Sequence, residues 1–314
     1  MTDSPRLRLL STVDFPARIM APFEQAFDVV RGTPQEATQV APDVVLCSGG
    51  GVRLPAEVIA AFPDTVKAIA TYSVGYDHVD IEAARARGIA VFNTPGVLGD
   101  AVADAAMLLT LGAARRATEA IAMIRNGEWK GWTPAQLNGV ELAGKTLGIL
   151  GMGDIGKKVA KRARAFGMNV AYTNRREATG EPDARFVPDA YELIAQSDVL
   201  LLAWPSTPET RGFIDAAALE RAKPSLILVN VGRGDLVVDD DLIAALQSGR
   251  IFAAGLDVFN NEPNLDKRYL DLPNAFLTPH VGSSTWEARL AMAMLLVDAL
   301  EQWQQGGAPA NRLV

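Results

Sequence analysis

Short apolar runs alternate with longer stretches whose apolar positions recur at helical spacing, through most of the chain. The runs read as strands. In the first third they are Leu7–Leu10, Val44–Cys47, Ala68–Tyr72 and Ile89–Phe92, separated by helical patterns over Ala17–Phe27, Ala56–Phe62 and Ile81–Arg87. A long helix is expected from Leu98 to about Asn126, rich in Ala and Leu, with Gly112 its one glycine before the end. The alternation resumes with a strand from Thr146, a helix over Ile155–Phe166 and strands over Val170–Thr173, Val199–Ala203 and Leu226–Val231. A helix over Asp240–Gln247, strands over Ala253–Val258 and Ala275–Leu277 and a last helix over Thr285–Trp303 complete the pattern. Strand–helix alternation without a fixed-period repeat predicts parallel α/β architecture.

One junction has specific chemistry. The apolar strand before Leu150 enters Gly151-Met152-Gly153-Asp154-Ile155-Gly156, and an Ala- and Lys-rich helix follows. Gly151 allows a tight turn, Gly153 lets backbone approach a pyrophosphate, and Gly156 lets the helix pack on the strand. The amides at the helix start then face the anion. Strand, glycines and helix in that order predict a dinucleotide site.

The glycine turn stands 150 residues into the chain, which predicts two α/β domains with the cofactor domain inserted in the other. The substrate domain is expected over 1–97 plus 286–314 and the cofactor domain over 98–285. Asn93-Thr94-Pro95-Gly96 supplies one hinge, and a second crossing falls near 281–286. Ligands are expected in the cleft between domains.

With 314 residues, 49% hydrophobic and 21% charged, the chain can fill two cores without cross-links. A net charge of −7 argues against nucleic-acid or anionic-membrane partners. Cys47 is the sole cysteine, which suits a reducing cytoplasm. Asp3, Arg6 and Arg8 precede no apolar run of signal-peptide length. The stretch Ala101–Ala114 is interrupted by Asp104 and is too short to span a bilayer. A soluble cytoplasmic protein without a bound metal is expected.

The second strand of the cofactor domain decides which nicotinamide dinucleotide fits. It ends in Thr173-Asn174-Arg175-Arg176 where a carboxylate would otherwise bond the ribose 2′-hydroxyl, and Glu177 comes only after the arginines. Asn174, Arg175, Arg176 and Thr173 offer donors and charge to a 2′-phosphate, so NADPH is favoured over NADH. The alternative is a pair of solvated arginines.

Reducing a carbonyl needs a proton donor titrating near neutrality, and the chain has two histidines, His78 and His280. His280 follows a strand end in Thr278-Pro279-His280, where ligands meet open parallel sheets. His78 lies in a polar loop opening a helix and reads as a solvated or capping residue. Arg233, between glycines after the strand Leu226–Val229, can present its fork to a carboxylate. Glu262 follows another strand; a carboxylate bonded to His280 would favour the charged imidazole and hold one tautomer.

With these residues the chain resembles the D-isomer-specific 2-hydroxyacid dehydrogenases over nearly its whole length. The resemblance rests on the glycine turn, Asn230–Gly234, Gly255–Phe259, Asn261-Glu262-Pro263 and Thr278–Ser283. It implies two Rossmann-like or flavodoxin-like parallel-sheet domains and a homodimer around the long helix. Arg233 would hold the substrate carboxylate and carbonyl oxygen, His280 donate the proton and Glu262 tune His280. Val74 and Gly75 match a backbone loop that also grips the carboxylate, and Ser283 joins the substrate contacts.

The cofactor surface implied is the turn Gly151, Gly153, Asp154, Ile155 and Gly156, then Asn174, Arg175 and Arg176. Trp204, Pro205 and Thr210 belong to a turn beneath it. Val231, Gly232, Asp257, His280 and Gly282 complete the set, with Asp257 beside the nicotinamide amide. Glyoxylate/hydroxypyruvate reductases are the nearest likeness, through Ala70–Asp80, Asn93–Leu98 and Asn126–Trp132. There a tryptophan matching Trp132 enters the partner's active site and limits substrate size; a dimer anchor is the other reading of Trp132.

Two positions depart from the family pattern. Asp154 stands where a basic residue is common, which restricts its expected contact to the backbone N–H, and Ser284 replaces a frequent alanine. The leading reading is NADPH-dependent reduction of glyoxylate and hydroxypyruvate to 2-hydroxy acids. NADH-dependent action on D-lactate or phosphoglycerate, and a non-catalytic dinucleotide-sensing corepressor, are the alternatives.

Overall fold

A computed structural model describes residues 6–49, 52–181 and 183–314. The chain forms two compact units, Met1–Leu98 with Ser284–Val314, and Gly99–Ser283.

In the first unit, strands β1 (Arg8–Ser11), β2 (Asp28–Arg31), β3 (Val44–Cys47), β4 (Ala68–Thr71) and β5 (Ala90–Phe92) form one parallel sheet. Its order is β2-β1-β3-β4-β5, the flavodoxin-like arrangement. Every residue of β3 and β4 is buried, as expected of strands covered on both faces. Strand β2, absent from the expected set, is an edge strand whose two valines lie between Asp28 and Arg31. The helix Trp286–Gln304 returns to this unit and packs on the helix Ala17–Ala26. Thr285 caps it, its hydroxyl accepting the Ala288 N–H at 3.1 Å.

The second unit holds β6 (Thr146–Leu150), β7 (Asn169–Thr173), β8 (Ala184–Phe186), β9 (Val199–Leu202), β10 (Ile227–Asn230), β11 (Ala253–Leu256) and β12 (Ala275–Leu277). They form a parallel sheet in the order β12-β11-β10-β9-β6-β7-β8. Strand order reverses at β6, between β9 and β7, so the glycine turn leaves the sheet at its topological switch point. The segments after β10, β11 and β12 leave at the same, carboxyl edge, and these carry Arg233, Asp257, Glu262 and His280. Strand β8, also unforeseen, is a short edge with an exposed Arg185.

The expected long helix is two helices, Gly99–Ala114 and Ala117–Arg125. Arg116 between them is left-handed, with φ 54°. The Ala114 carbonyl accepts the Val140 N–H at 2.9 Å. The Arg116 guanidinium grips Glu119 through Nε and Nη2 at 2.7 and 2.5 Å. The bond from Val140 thus takes a carbonyl that a continuing helix would use, and the local Arg116–Glu119 pair holds the start of the second helix, in a segment whose own propensity is helical. No helix among the described residues is long and apolar enough to cross a membrane.

Candidate active site

Strand β6 is buried from Leu147 to Leu150, and the chain turns out of it through Gly151 at φ +111°. A Cβ there would lie 2.7 Å from the Ala203 carbonyl oxygen, and one on Gly156 would lie 2.2 Å from the Gly151 carbonyl oxygen. Both glycines are required by the fold. Gly153 differs: its backbone is extended at φ −85°, and a Cβ would meet nothing within 4 Å. Open space before the helix Asp154–Ala165, next to amides without intrahelical acceptors, fits a pyrophosphate. The residues present therefore suit a dinucleotide. Asn174 braces the turn, its Oδ1 accepting the Met152 N–H at 2.8 Å.

Asp154 opens this helix beside the space. Its carboxylate lies 3.4 Å from Lys158 Nζ, which also pairs with Asp100 at 3.0 Å. It packs so closely on Gly99 that a Cβ there would lie 2.1 Å from Asp154 Oδ2. The negative charge opposite the expected anion is thus ion-paired.

The 2′-phosphate candidates separate into two kinds. Arg175 and Arg176 are exposed, and neither guanidinium has a hydrogen bond or ion pair with the described residues. Thr173 turns inward instead: it is 5% exposed, and its hydroxyl donates to the Val187 carbonyl at 2.6 Å. That corrects its expected place among the phosphate donors. Glu209 stands within reach of the Arg175 charge. The Thr207 hydroxyl foremost, with a backbone amide and Arg175, holds its carboxyl below the usual value.

Trp204 is half-buried and Pro205 exposed. Thr210 closes the turn that bears them, donating to the Pro205 carbonyl at 2.7 Å and accepting the Thr207 N–H at 2.9 Å.

Beyond β10, β11 and β12 three loops converge. His280 Nδ1 lies 2.6 Å from Glu262 Oε2, and Glu262 Oε1 accepts the Phe259 N–H at 2.8 Å. Burial pushes the Glu262 carboxyl up, but the His280 and Phe259 hydrogen bonds and the charges of His280 and Arg233 outweigh it. The net effect holds the carboxyl below its usual range. An ionised Glu262 only accepts, so Nδ1 carries hydrogen and Nε2 is the nitrogen left for proton exchange.

His280 itself sits at φ +52°, unusual for a residue with a side chain. Asp257 imposes the turn. This carboxylate, 2% exposed, accepts from the Thr278 hydroxyl at 2.6 Å and from the Val281 and Gly282 amides at 2.8 Å.

Arg233 is half-buried, and its Nη1 donates to the Gly232 carbonyl at 2.9 Å. Asn230 holds this loop from both ends, accepting the Gly232 N–H at 3.0 Å and donating to the Arg233 carbonyl at 2.9 Å. Val231 is 8% exposed beneath it. Asn230, the Phe259 amide and the Thr278–Asp257 bond are functional supports that sequence reasoning missed. Only the Asn-x-Gly spacing at Asn230 hinted at one of them.

Ser283 is half-buried at the end of this unit, and Trp132 is 80% exposed. Ser284 accepts from Arg289 Nη2 at 3.0 Å.

Val74 and Gly75 follow β4 in the first unit and are half-buried. His78 is not the solvated residue expected. It is 7% exposed, its Nε2 2.8 Å from Thr71 Oγ1. The polar spacing suggested solvent; the buried Thr71 gave the ring an interior partner.

An open dinucleotide cradle and a carboxylate–histidine pair with an arginine in its field, at one sheet edge, define a nicotinamide-dependent oxidoreductase. The chain belongs to the D-isomer-specific 2-hydroxyacid dehydrogenases: the family's NAD binding domain matches residues 107–282. The family acts on small 2-hydroxy and 2-keto acids. The chain is 41% identical over 307 residues to a glycerate dehydrogenase of Hyphomicrobium methylovorum, covering 93% of this chain and 95% of that one. It is 47% identical over 253 residues to a glyoxylate reductase of Thermococcus litoralis, covering 78% and 76%. Among solved structures it resembles an NADPH-dependent glyoxylate/hydroxypyruvate reductase from Sinorhizobium meliloti, in complex with NADP and malonate. There the TM-score is 0.88 and the identity 36%, over 99% of this chain and 97% of that one.

Proposed function

We propose that this enzyme reduces glyoxylate and hydroxypyruvate to the corresponding 2-hydroxy acids, with NADPH favoured over NADH. The observation that carries the reading is the His280–Glu262 pair at 2.6 Å with Arg233 close enough to act on Glu262. Relatives named glyoxylate reductase and glycerate dehydrogenase agree with one chemistry, because glycerate is hydroxypyruvate reduced at its carbonyl.

The nicotinamide, when bound, supplies the hydride. Arg233 binds the substrate carboxylate and carbonyl oxygen and stabilises charge as it develops on that oxygen. Protonated His280 gives its Nε2 proton to the same oxygen, while Glu262 fixes the ring and stabilises the imidazolium. Val74 and Gly75 offer backbone to the carboxylate, and Ser283 is a further contact.

For the cofactor, we assign the pyrophosphate to the backbone from Gly153 to Gly156, Asp154 contributing only its N–H. The ribose phosphate goes to Arg175 and Arg176, supported by their exposure and lack of hydrogen-bonded or ion-paired partners. Asn174 lends its Nδ2 while its Oδ1 holds the turn. Trp204, Pro205 and Thr210 line the cofactor's underside. Val231, Gly232, Asp257 and Gly282 lie toward the nicotinamide.

A homodimer belongs to the same reading. Ile121, Ile124, Trp129 and Trp132 are 46%, 67%, 60% and 80% exposed within one segment, an apolar patch of the kind that marks an interface. A cytoplasmic setting agrees with a single unpaired cysteine whose thiol burial pushes up to about 12.

The test is initial-rate oxidation of NADPH and NADH with glyoxylate, hydroxypyruvate and pyruvate. Fast turnover of the first two with NADPH is expected. Preference for NADH or for pyruvate overturns the specificity, and no turnover with any pair overturns the reaction.

A further inference from the structure

The loop after β4 contains a hydrogen-bond chain whose direction can be worked out atom by atom. The Gly75 carbonyl oxygen, 2.7 Å from Ser73 Oγ, can only accept, so the single Ser73 hydroxyl hydrogen points there. Thr71 Oγ1, 2.8 Å from Ser73 Oγ, must then donate to it. That uses the Thr71 hydrogen, so His78 Nε2, 2.8 Å from Thr71 Oγ1, must be the donor at the head of the chain. The reverse assignment would leave two lone pairs facing each other between Thr71 and Ser73. Thr71 and His78 are 0% and 7% exposed, so water does not compete for the bond between them.

A second brace lies next door. Asn93, 5% exposed, donates from Nδ2 to the Val74 carbonyl at 2.9 Å. Two successive peptides thus have their carbonyls tied back by side chains. In a planar trans peptide the N–H points opposite to the carbonyl. The Gly75 and Tyr76 N–H groups are therefore turned away from the braces, and neither has an acceptor among the described residues. Paired outward amides of this kind bind anions.

We infer that His78 is a positioning residue for substrate-carboxylate binding, acting through Thr71 and Ser73 to hold the Gly75 carbonyl back and its neighbouring amides outward. The inference rests on the assignment of Val74 and Gly75 to the substrate carboxylate proposed above.

Wild type, His78→Leu, His78→Gln and Ser73→Ala are compared in glyoxylate reduction with NADPH. In parallel, the Gly75 amide resonance is followed while oxamate, an unreactive carboxylate analogue, is titrated into the NADPH complex. Losing one neutral hydrogen bond predicts a glyoxylate KM and an oxamate Kd raised about tenfold in His78→Leu and Ser73→Ala, with kcat and the NADPH KM little changed. His78→Gln, whose amide can still donate to Thr71, restores most of the loss. The Gly75 resonance responds to oxamate in wild type and the Gln variant at concentrations that leave the Leu variant unmoved.

Unchanged glyoxylate KM and oxamate Kd in both His78→Leu and Ser73→Ala overturn the inference. So does a joint fall in kcat and affinity that Gln does not rescue. A wild type whose Gly75 amide answers oxamate but which reduces no keto acid overturns the proposed reaction and leaves the relay standing.

Discussion

Gly234 meets Phe259 at a distance that admits no side chain: a Cβ on Gly234 would fall 1.9 Å from the Phe259 carbonyl carbon. The contact presses the loop bearing Arg233 against the loop whose Phe259 amide holds Glu262. Gly234→Ala must push these loops apart. Overpacking predicts about 1–3 kcal/mol of lost stability, and kcat/KM should fall in protein that is still fully folded. Urea denaturation and steady-state rates check both. Full activity in a destabilised variant would show that the loop spacing does not matter to the reaction.

His280→Ala removes the imidazole to which the proposed mechanism assigns proton transfer, its Nδ1 held by Glu262. Turnover should fall about 10²–10⁴-fold, the usual range for a lost general acid. Cofactor affinity, measured by fluorescence titration, should change little. A matching loss of cofactor affinity would count against a proton-donor role.

The parallel architecture was legible because its buried strands are nearly unbroken apolar runs, Val199–Leu202 and Ile227–Asn230 among them. Edge strands Asp28–Arg31 and Ala184–Phe186 carry charge and few apolar residues, so no run marks them. The helix break at Arg116 was hidden for a different reason. Ala113 to Ala117 are acceptable helix residues, and the interruption comes from Val140, far along the chain.

At the site, residues standing directly after strand ends could be picked out: Gly151, Arg233 and His280. Their supports were less legible. Asn230 was not singled out, and Asp257, expected beside the nicotinamide amide, was not expected to hold the turn at His280, because both close backbone loops that exist only once folded. His78 was misread on the same account, since a polar loop gives no sign of the buried Thr71 that receives its ring.

Arg175 and Arg176 test the cofactor preference separately from the fold. Both are exposed, without hydrogen bonds or ion pairs to the described residues, so replacing both with Gln should leave stability within about 0.5 kcal/mol. The KM for NADPH should rise about tenfold or more, from lost charge-assisted bonds, with that for NADH far less affected. An unchanged ratio of the two would remove these arginines from the 2′-phosphate.

Gly153 and Gly156 should part company when changed to alanine. Gly156→Ala drives a methyl into the Gly151 carbonyl and should destabilise the unit, whether or not cofactor is present. Gly153→Ala adds a methyl in open space on an extended backbone, so the unliganded protein should melt as wild type does. Its dinucleotide Kd should nevertheless rise, because the methyl occupies the approach to the phosphates. If Gly153→Ala binds cofactor normally, the space above it is not the pyrophosphate site.

Glu262 links the site to the acid stability of the protein. Its carboxyl is held below the usual value, which means the folded state binds its proton less readily than the unfolded chain. The stabilisation is therefore present above the unfolded carboxylate pKa of about 4.3 and is lost as pH falls through the lower folded value. Glu262→Gln cannot ionise and should lack this dependence. Denaturation at neutral pH should find the variant less stable than wild type. Below about pH 4 the gap should narrow, because protonation removes the same charge from the wild type. Parallel loss of stability in both proteins down the acid range would mean that the bonds from His280 and Phe259 do not favour the ionised carboxylate in the folded state.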